Sequence, residues 1–203
     1  KSESGRTVRY DMNLDECPSV VFDLFHTLTS VDALLAPGRS TSEVLGVSRE
    51  DWNRQLLVYS DDRLRGKITD PFLIIEKMAH AIDPTISDAL INEAAKNRAE
   101  RFRYALINIE SPVLETLKKL KETGKSIGLV SNADVNEVMG WDDSPLKPYF
   151  DCVVFSCHVG YIKPEKEIYE IVLGRLGVVS RDVLYVGDGG SDDFLANRID
   201  GRI

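Results

Sequence analysis

Four short apolar runs constrain the fold more than any other feature: 19–22 (SVVF), 126–131 (SIGLVS), 152–156 (CVVFS) and 183–187 (VLYVG). Each is rich in β-branched residues and short and continuous, the pattern of a strand buried on both faces. Three of the four stop at a polar residue inside a small loop signal. Helical periodicity fills the later intervals. Val113, Leu114, Leu117 and Leu120 form one stripe closed by Gly124, and Pro164 opens another through Ile168, Ile171 and Val172 to Gly177. Strands and helices alternating in this way predict an α/β fold with a parallel sheet and right-handed crossovers.

The interval from 30 to 110 breaks that rhythm. Segments 69–82 and 86–107 read as helices, the second with Ile91, Ala95, Ala99, Phe102 and Leu106 on one side. No strand pattern interrupts them, and the interval is too long for a loop. The expected organisation is an α/β core of residues 1–29 and 110–203 with an inserted α-helical domain of residues 30–109 standing over the sheet. Trp52 and Tyr59 in the insertion read as packing residues.

A net charge of −8 argues against a polyanion-binding surface, and the lysines of 117–125 alternate with leucines as on a solvated helix face. No nucleic-acid partner is expected. The three cysteines, Cys17, Cys152 and Cys157, show no CxxC pairing, which suits a reducing compartment. Residues 1–16 lack a signal-peptide core, and no apolar run is long enough to span a bilayer. A cytoplasmic location and no membrane partner are expected; oligomeric state is left open.

Ligands of open parallel sheets bind beyond the carboxyl ends of the strands. Asp23 follows the first run, Ser131 and Asn132 end the second, Lys163 lies in the loop after the third, and Asp188 follows the fourth. Singly, each has a structural explanation: a helix cap, a turn, an exposed lysine, a glycine-rich loop. Together, in this order, they describe a reaction centre. Asp23 can attack as a carboxylate nucleophile and form a covalent intermediate. Ser131 and Lys163 can hold an anionic group and offset developing charge. Asp188 beside Asp23 would crowd two carboxylates unless a cation lies between them, and Mg²⁺ suits oxygen donors.

The stretches FDLFHTL (22–28), VSN (130–132), KPEKEIY (163–169) and VGDGGSDD (186–193) resemble the four motifs of the haloacid dehalogenase-like superfamily. The resemblance spans nearly the whole chain, and segment 30–109 is similar in place and helical character to that superfamily's type 1 caps. It implies a Rossmann-like core and a hydrolase with Asp23 as nucleophile, acting on a small anionic substrate. It further implies Mg²⁺ held by Asp23, the main-chain carbonyl of Phe25 and Asp188, with Asp192 or Asp193 helping. Thr27 would hydrogen-bond near the nucleophile or the transferred group, and Asn132 and His26 are placed at the substrate. Members of the superfamily continue beyond the fourth motif with another strand–helix segment, so residues completing the sheet are expected beyond those seen here.

One departure shapes the functional reading. Phosphatases of the superfamily carry a second aspartate two residues after the nucleophile, where this chain has Phe25, followed by His26. Phe25 can offer a carbonyl to a metal, but its side chain cannot move a proton. General acid–base help is worth about 10²–10⁴-fold, so its loss favours leaving groups that need no proton. Three readings follow. The first is a Mg²⁺-dependent phosphatase of a small phosphorylated metabolite, including acyl and other activated phosphates. The second is a 2-haloacid dehalogenase, since those enzymes also lack an acid at this position. The third is a binding or regulatory module with weakened catalysis. His26 is the alternative proton carrier. His80 and His158 read as structural or pocket-lining.

Overall fold

The computed structural model describes residues 17–29 and 36–189. Four parallel strands, β1 (Ser19–Phe22), β2 (Ser126–Ser131), β3 (Cys152–Phe155) and β4 (Val183–Val186), form one sheet in the order β3-β2-β1-β4. The register sets Val20 beside Ile127, and Phe22 beside both Leu129 and Val186. Every residue of β1 is buried, as a central strand covered on both faces requires.

Alternation along β1 decides which helix covers which face. Val20 and Phe22 join Ile127, Leu129, Leu106 and Leu117 in a core on one side, where α6 (Ser111–Glu122) packs. Val21 turns to the other side with Val130, Val154, Ile168 and Val172, under α9 (Lys166–Leu176). Gly128 permits that second contact: a Cβ there would lie 3.0–3.1 Å from Val172, Leu176 and Val21. The α9 helix begins at Lys166, not at Pro164 as the sequence suggested. Pro164 instead sits in a turn closed by the Glu165 N–H donating to the Ile162 carbonyl at 2.8 Å. Gly177 ends α9 in the left-handed conformation.

Between β1 and α6 the described residues are helical and contain no strand. They form α1 (Thr41–Leu45), α2 (Arg49–Val58), α3 (Ser60–Leu64), α4 (Pro71–Ile82) and α5 (Asp88–Ile107). These helices enclose a core of their own, built from Val44, Trp52, Ile75, Met78, Ile91 and Ala94. Side-chain caps start them: Ser40 and Glu43 make a reciprocal capping box on α1, and Asp70 caps α4 ahead of Pro71. The expected stripe of α5 is displaced. Ile91, Ala95 and Leu106 are buried, but Ala99 and Phe102 are only half-buried, and Arg98 and Arg101 are buried in their place.

This helical segment meets the α/β core tightly at Gly66. Its φ is +66°, and a Cβ there would sit 2.0 Å from the Cys157 carbonyl oxygen on α8 (Ser156–Val159). Gly66→Ala is expected to lower stability by about 2–4 kcal/mol, through a strained backbone and a backbone clash together. Urea denaturation measures the loss.

Cys17, Cys152 and Cys157 are buried free thiols. Burial pushes Cys152 up and Cys157 to about 12, so both stay protonated at neutral pH. No helix among the described residues is long and apolar enough to cross a membrane.

Candidate active site

The sheet delivers its polar residues to one edge. Asp23 continues β1, its N–H donating to the Val186 carbonyl at 2.9 Å, so the first residue beyond the strand is still fixed by the ladder. The chain then turns sharply, with the N–H groups of Leu28 and Thr29 both donating to the Leu24 carbonyl, at 2.9 and 3.2 Å. His26 takes a left-handed φ of 63° within this turn and is exposed. Thr27 Oγ1 is buried and has no hydrogen-bond partner among the described residues. The Phe25 ring packs edge-on against Phe102 of α5, with centroids 5.5 Å apart. The apolar residue at this position therefore joins the Asp23 loop to the helical segment.

Lys163 lies across from Asp23. Its Nζ is 2.8 Å from Asp23 Oδ1, and the two side chains are only 5% and 10% exposed. Nζ also donates to the Tyr185 hydroxyl at 3.3 Å. A buried ammonium beside a buried carboxylate offsets the desolvation that would make either charge costly alone. The lysine is aimed from behind by Asn132, whose Oδ1 accepts from the Lys163 N–H at 2.7 Å and whose Nδ2 donates to the Lys163 carbonyl at 3.0 Å. Asn132 therefore grips the lysine loop. Ser131, the last residue of β2, is buried.

Asp188 stands two residues past β4 and is exposed. Since Phe22 pairs with Val186, Asp23 is level with Gly187, and Asp188 is one residue further along the neighbouring strand. Asp192 and Asp193 lie outside the described residues. Among the described residues, no group of three or more His, Cys, Asp or Glu side chains gathers as a metal site.

Two contacts that the sequence did not reveal link the helical segment to this edge. Arg65 makes a two-pronged ion pair with Glu165, at 2.6 and 2.8 Å, and donates to the Gly160 carbonyl at 3.0 Å, bracketing the Lys163 loop. Hydrogen bonds to Glu165 and Asp61 raise the pKa of Arg65 further. The second contact is a buried charge cluster. Arg63 Nη1 lies 2.9 Å from Asp134 Oδ2 and 3.4 Å from Glu137 Oε1, and Arg98 Nη2 reaches the same two carboxylates. Asp134 and Glu137 also form the capping box of the short helix α7 (Val135–Val138) directly after Asn132. Burial, then the Asp134 charge, pushes Glu137 upward against the two guanidiniums. Tyr185, Arg63 and Arg98 gave no local signal, because each gains its meaning from a partner far away in sequence. His80 is structural, its Nε2 lying 3.0 Å from the Ile86 carbonyl oxygen, and His158 is exposed with its ring edge-on to Phe155.

A family model described as haloacid dehalogenase-like hydrolase matches residues 18–198. The pyrophosphatase PpaX of Bacillus pumilus is 30% identical over 113 residues, which is 55% of this chain and 52% of that protein. The matched part is between 16% and 52% of such curated relatives' own length. Among solved structures, a family enzyme from Bacteroides thetaiotaomicron, in complex with magnesium and inorganic phosphate, superimposes with a TM-score of 0.67 at 18% identity, covering 90% of each chain. A 2-haloacid dehalogenase from Pseudomonas syringae pv. Tomato gives 0.62 at 21% identity, covering 92% of this chain and 84% of that one.

Proposed function

Because the chain belongs to the haloacid dehalogenase-like hydrolases, we propose that it hydrolyses a small activated phosphate through an aspartyl-phosphate on Asp23. The observation that carries this reading is Lys163 Nζ at 2.8 Å from Asp23 Oδ1, both buried at the carboxyl edge of the sheet. In the first step an Asp23 oxygen attacks phosphorus while the bond to the leaving oxygen breaks, and that oxygen departs with the electron pair. In the second, water attacks the same phosphorus, releasing inorganic phosphate and restoring the carboxylate. Lys163 offsets the charge of the phosphoryl oxygens in both steps. The Ser131 hydroxyl and the buried hydroxyl of Thr27 are the neutral donors for those oxygens, and His26 borders the substrate from the turn. Residues 30–109 serve as a cap that shields the reacting group from bulk water.

The donor set fits Mg²⁺. The Asp23 carboxylate, a main-chain carbonyl at Phe25 and the Asp188 carboxylate arise from adjacent strand ends, and hard oxygen ligands with remaining waters are what this ion takes. Asp192 or Asp193 completes the set in this proposal. When bound, the ion adds Lewis-acid stabilisation of the phosphoryl charge.

Phe25 selects the substrate class. With no proton donor two residues after the nucleophile, the leaving group must depart as a stable anion, as a carboxylate or a phosphate does. The pyrophosphatase named among the relatives supports an anhydride substrate. Turnover of acyl phosphates or pyrophosphate is therefore expected to exceed that of alkyl phosphates. Phe25→Asp is expected to raise the alkyl phosphate rate selectively, by about 10²–10⁴-fold. Steady-state rates on a leaving-group series, with and without chelator, provide the test; equal gains on all substrates would contradict the assignment.

Phe25 also favours a second reading, hydrolytic dehalogenation of a 2-haloacid through an aspartyl ester. Halide release unaffected by chelator, with no phosphate turnover, would select it.

A further inference from the structure

Lys163 reaches Asp23 from a loop that belongs to neither flanking helix. Gly160 closes α8 with a left-handed φ of 82°, and α9 begins only at Lys166. Residues 161–165 must nevertheless hold an ammonium 2.8 Å from a buried carboxylate. At the centre of the loop, Asn132 takes both the N–H and the carbonyl of Lys163, at 2.7 and 3.0 Å. Within the loop, Glu165 folds back on Ile162. Its carboxylate accepts from the Ile162 N–H at 3.0 Å, and its own N–H donates to the Ile162 carbonyl at 2.8 Å.

The two ends of the loop are joined by a residue from elsewhere. Arg65 Nη1 donates to the Gly160 carbonyl at 3.0 Å and to Glu165 Oε2 at 2.8 Å, while Nη2 reaches Glu165 Oε1 at 2.6 Å. One guanidinium therefore spans the loop from its first residue to its last. Asp61 accepts from Arg65 Nε at 2.5 Å and aims the fork from behind. The neighbouring Gly66 abuts the Cys157 carbonyl on α8, which fixes where Arg65 enters. The Arg65 side chain is 21% exposed. A sheltered, two-pronged pair of this kind holds a geometry that a solvated ion pair does not. Only an arginine supplies it, since a lysine ammonium lacks the planar fork.

We propose that Arg65, acting through Glu165, is a positioning residue for Lys163, so that the helical segment sets where the ammonium stands. This rests on the reading of Lys163 as the group that offsets phosphoryl charge. A displacement of 1 Å at a reacting centre costs about 10²-fold in rate. With Asn132 still in place the loop is loosened and not released, so Arg65→Ala is expected to lower kcat about tenfold.

A double-mutant cycle with Lys163→Met separates this role from a general structural one. If Arg65 acts through the ammonium, Arg65→Ala changes kcat by less than about twofold once the ammonium is gone. A larger loss in the Lys163→Met background, or no loss in the wild-type one, would overturn the assignment. Arg65→Lys keeps a cation but cannot span both ends, and it is expected to lose at least about threefold; it replaces the alanine variant if that protein does not fold. Arg103→Ala is the control. It breaks a different ion pair of the helical segment, to Asp143 at 2.9 Å with side chains 42% and 58% exposed, and is expected to leave kcat unchanged. An equal loss there would mean general loosening and would also overturn the assignment.

A second readout does not depend on turnover. Acetylation by N-hydroxysuccinimidyl acetate, followed by peptide mass spectrometry, compares Lys163, 5% exposed, with Lys118, 67% exposed. Arg65→Ala is expected to raise Lys163 labelling relative to Lys118 by at least about threefold, and a smaller rise would overturn the assignment. Unaltered turnover by Lys163→Met would instead overturn the reading of the reaction centre, and the labelling alone would then decide whether Arg65 places the lysine.

Discussion

Asp23→Asn protein is expected to lose about 10⁴–10⁶-fold in turnover on its best phosphate substrate while remaining folded. Asparagine matches aspartate in size and leaves the backbone bond to Val186 in place, so the sheet geometry is kept. The buried Lys163 ammonium loses its charge partner, and stability is expected to fall by about 3–5 kcal/mol. An amide oxygen is a far weaker nucleophile than a carboxylate, and the variant is left with electrostatics and positioning alone. Rates measured under substrate saturation, with circular dichroism as a control for folding, read the effect. A loss of less than about tenfold would mean that the covalent step occurs elsewhere, or not at all.

Lys163→Met is expected to act on both activity and stability. The ammonium offsets the charge of a carboxylate whose side chain is 10% exposed, and it reaches the Tyr185 hydroxyl as well. Removing one partner of a buried ion pair costs about 3–5 kcal/mol, because the other charge remains out of water. Removing a preorganised donor to a developing anion costs about 10²–10³-fold in kcat. Denaturant unfolding and kcat on the same preparation separate the two effects. Lys163→Arg provides a further check. It restores the charge but not the compact ammonium geometry, so stability should recover more than activity does.

The parallel sheet was legible because strands covered on both faces must be apolar throughout, and SVVF, SIGLVS and CVVFS are such runs. The helical nature of the interval after β1 was equally legible from its 3.6-residue periodicity. The detail of α5 was not. Periodicity assigns arginine to solvent, yet Arg98 and Arg101 are buried there, because Asp134, Glu137 and three backbone carbonyls supply what water would. Those carboxylates lie 36 and 39 positions away in the chain, beyond any local pattern. Pro164 has a helix-opening preference, but the turn at Ile162–Glu165 claims it ahead of α9. In the candidate site, the residues ending strands stood out because a polar residue after an apolar run is conspicuous. Tyr185 did not, since a tyrosine within a strand looks like ordinary packing until Lys163 is seen beside its hydroxyl.

The stereochemical course at phosphorus tests the covalent route most directly. A phosphorothioate substrate made chiral with oxygen isotopes, hydrolysed in water carrying a third isotope, records whether displacement occurs once or twice. Attack by Asp23 followed by attack of water inverts the centre twice, so net retention is expected. Net inversion would show water attacking the substrate itself and would contradict the aspartyl-phosphate.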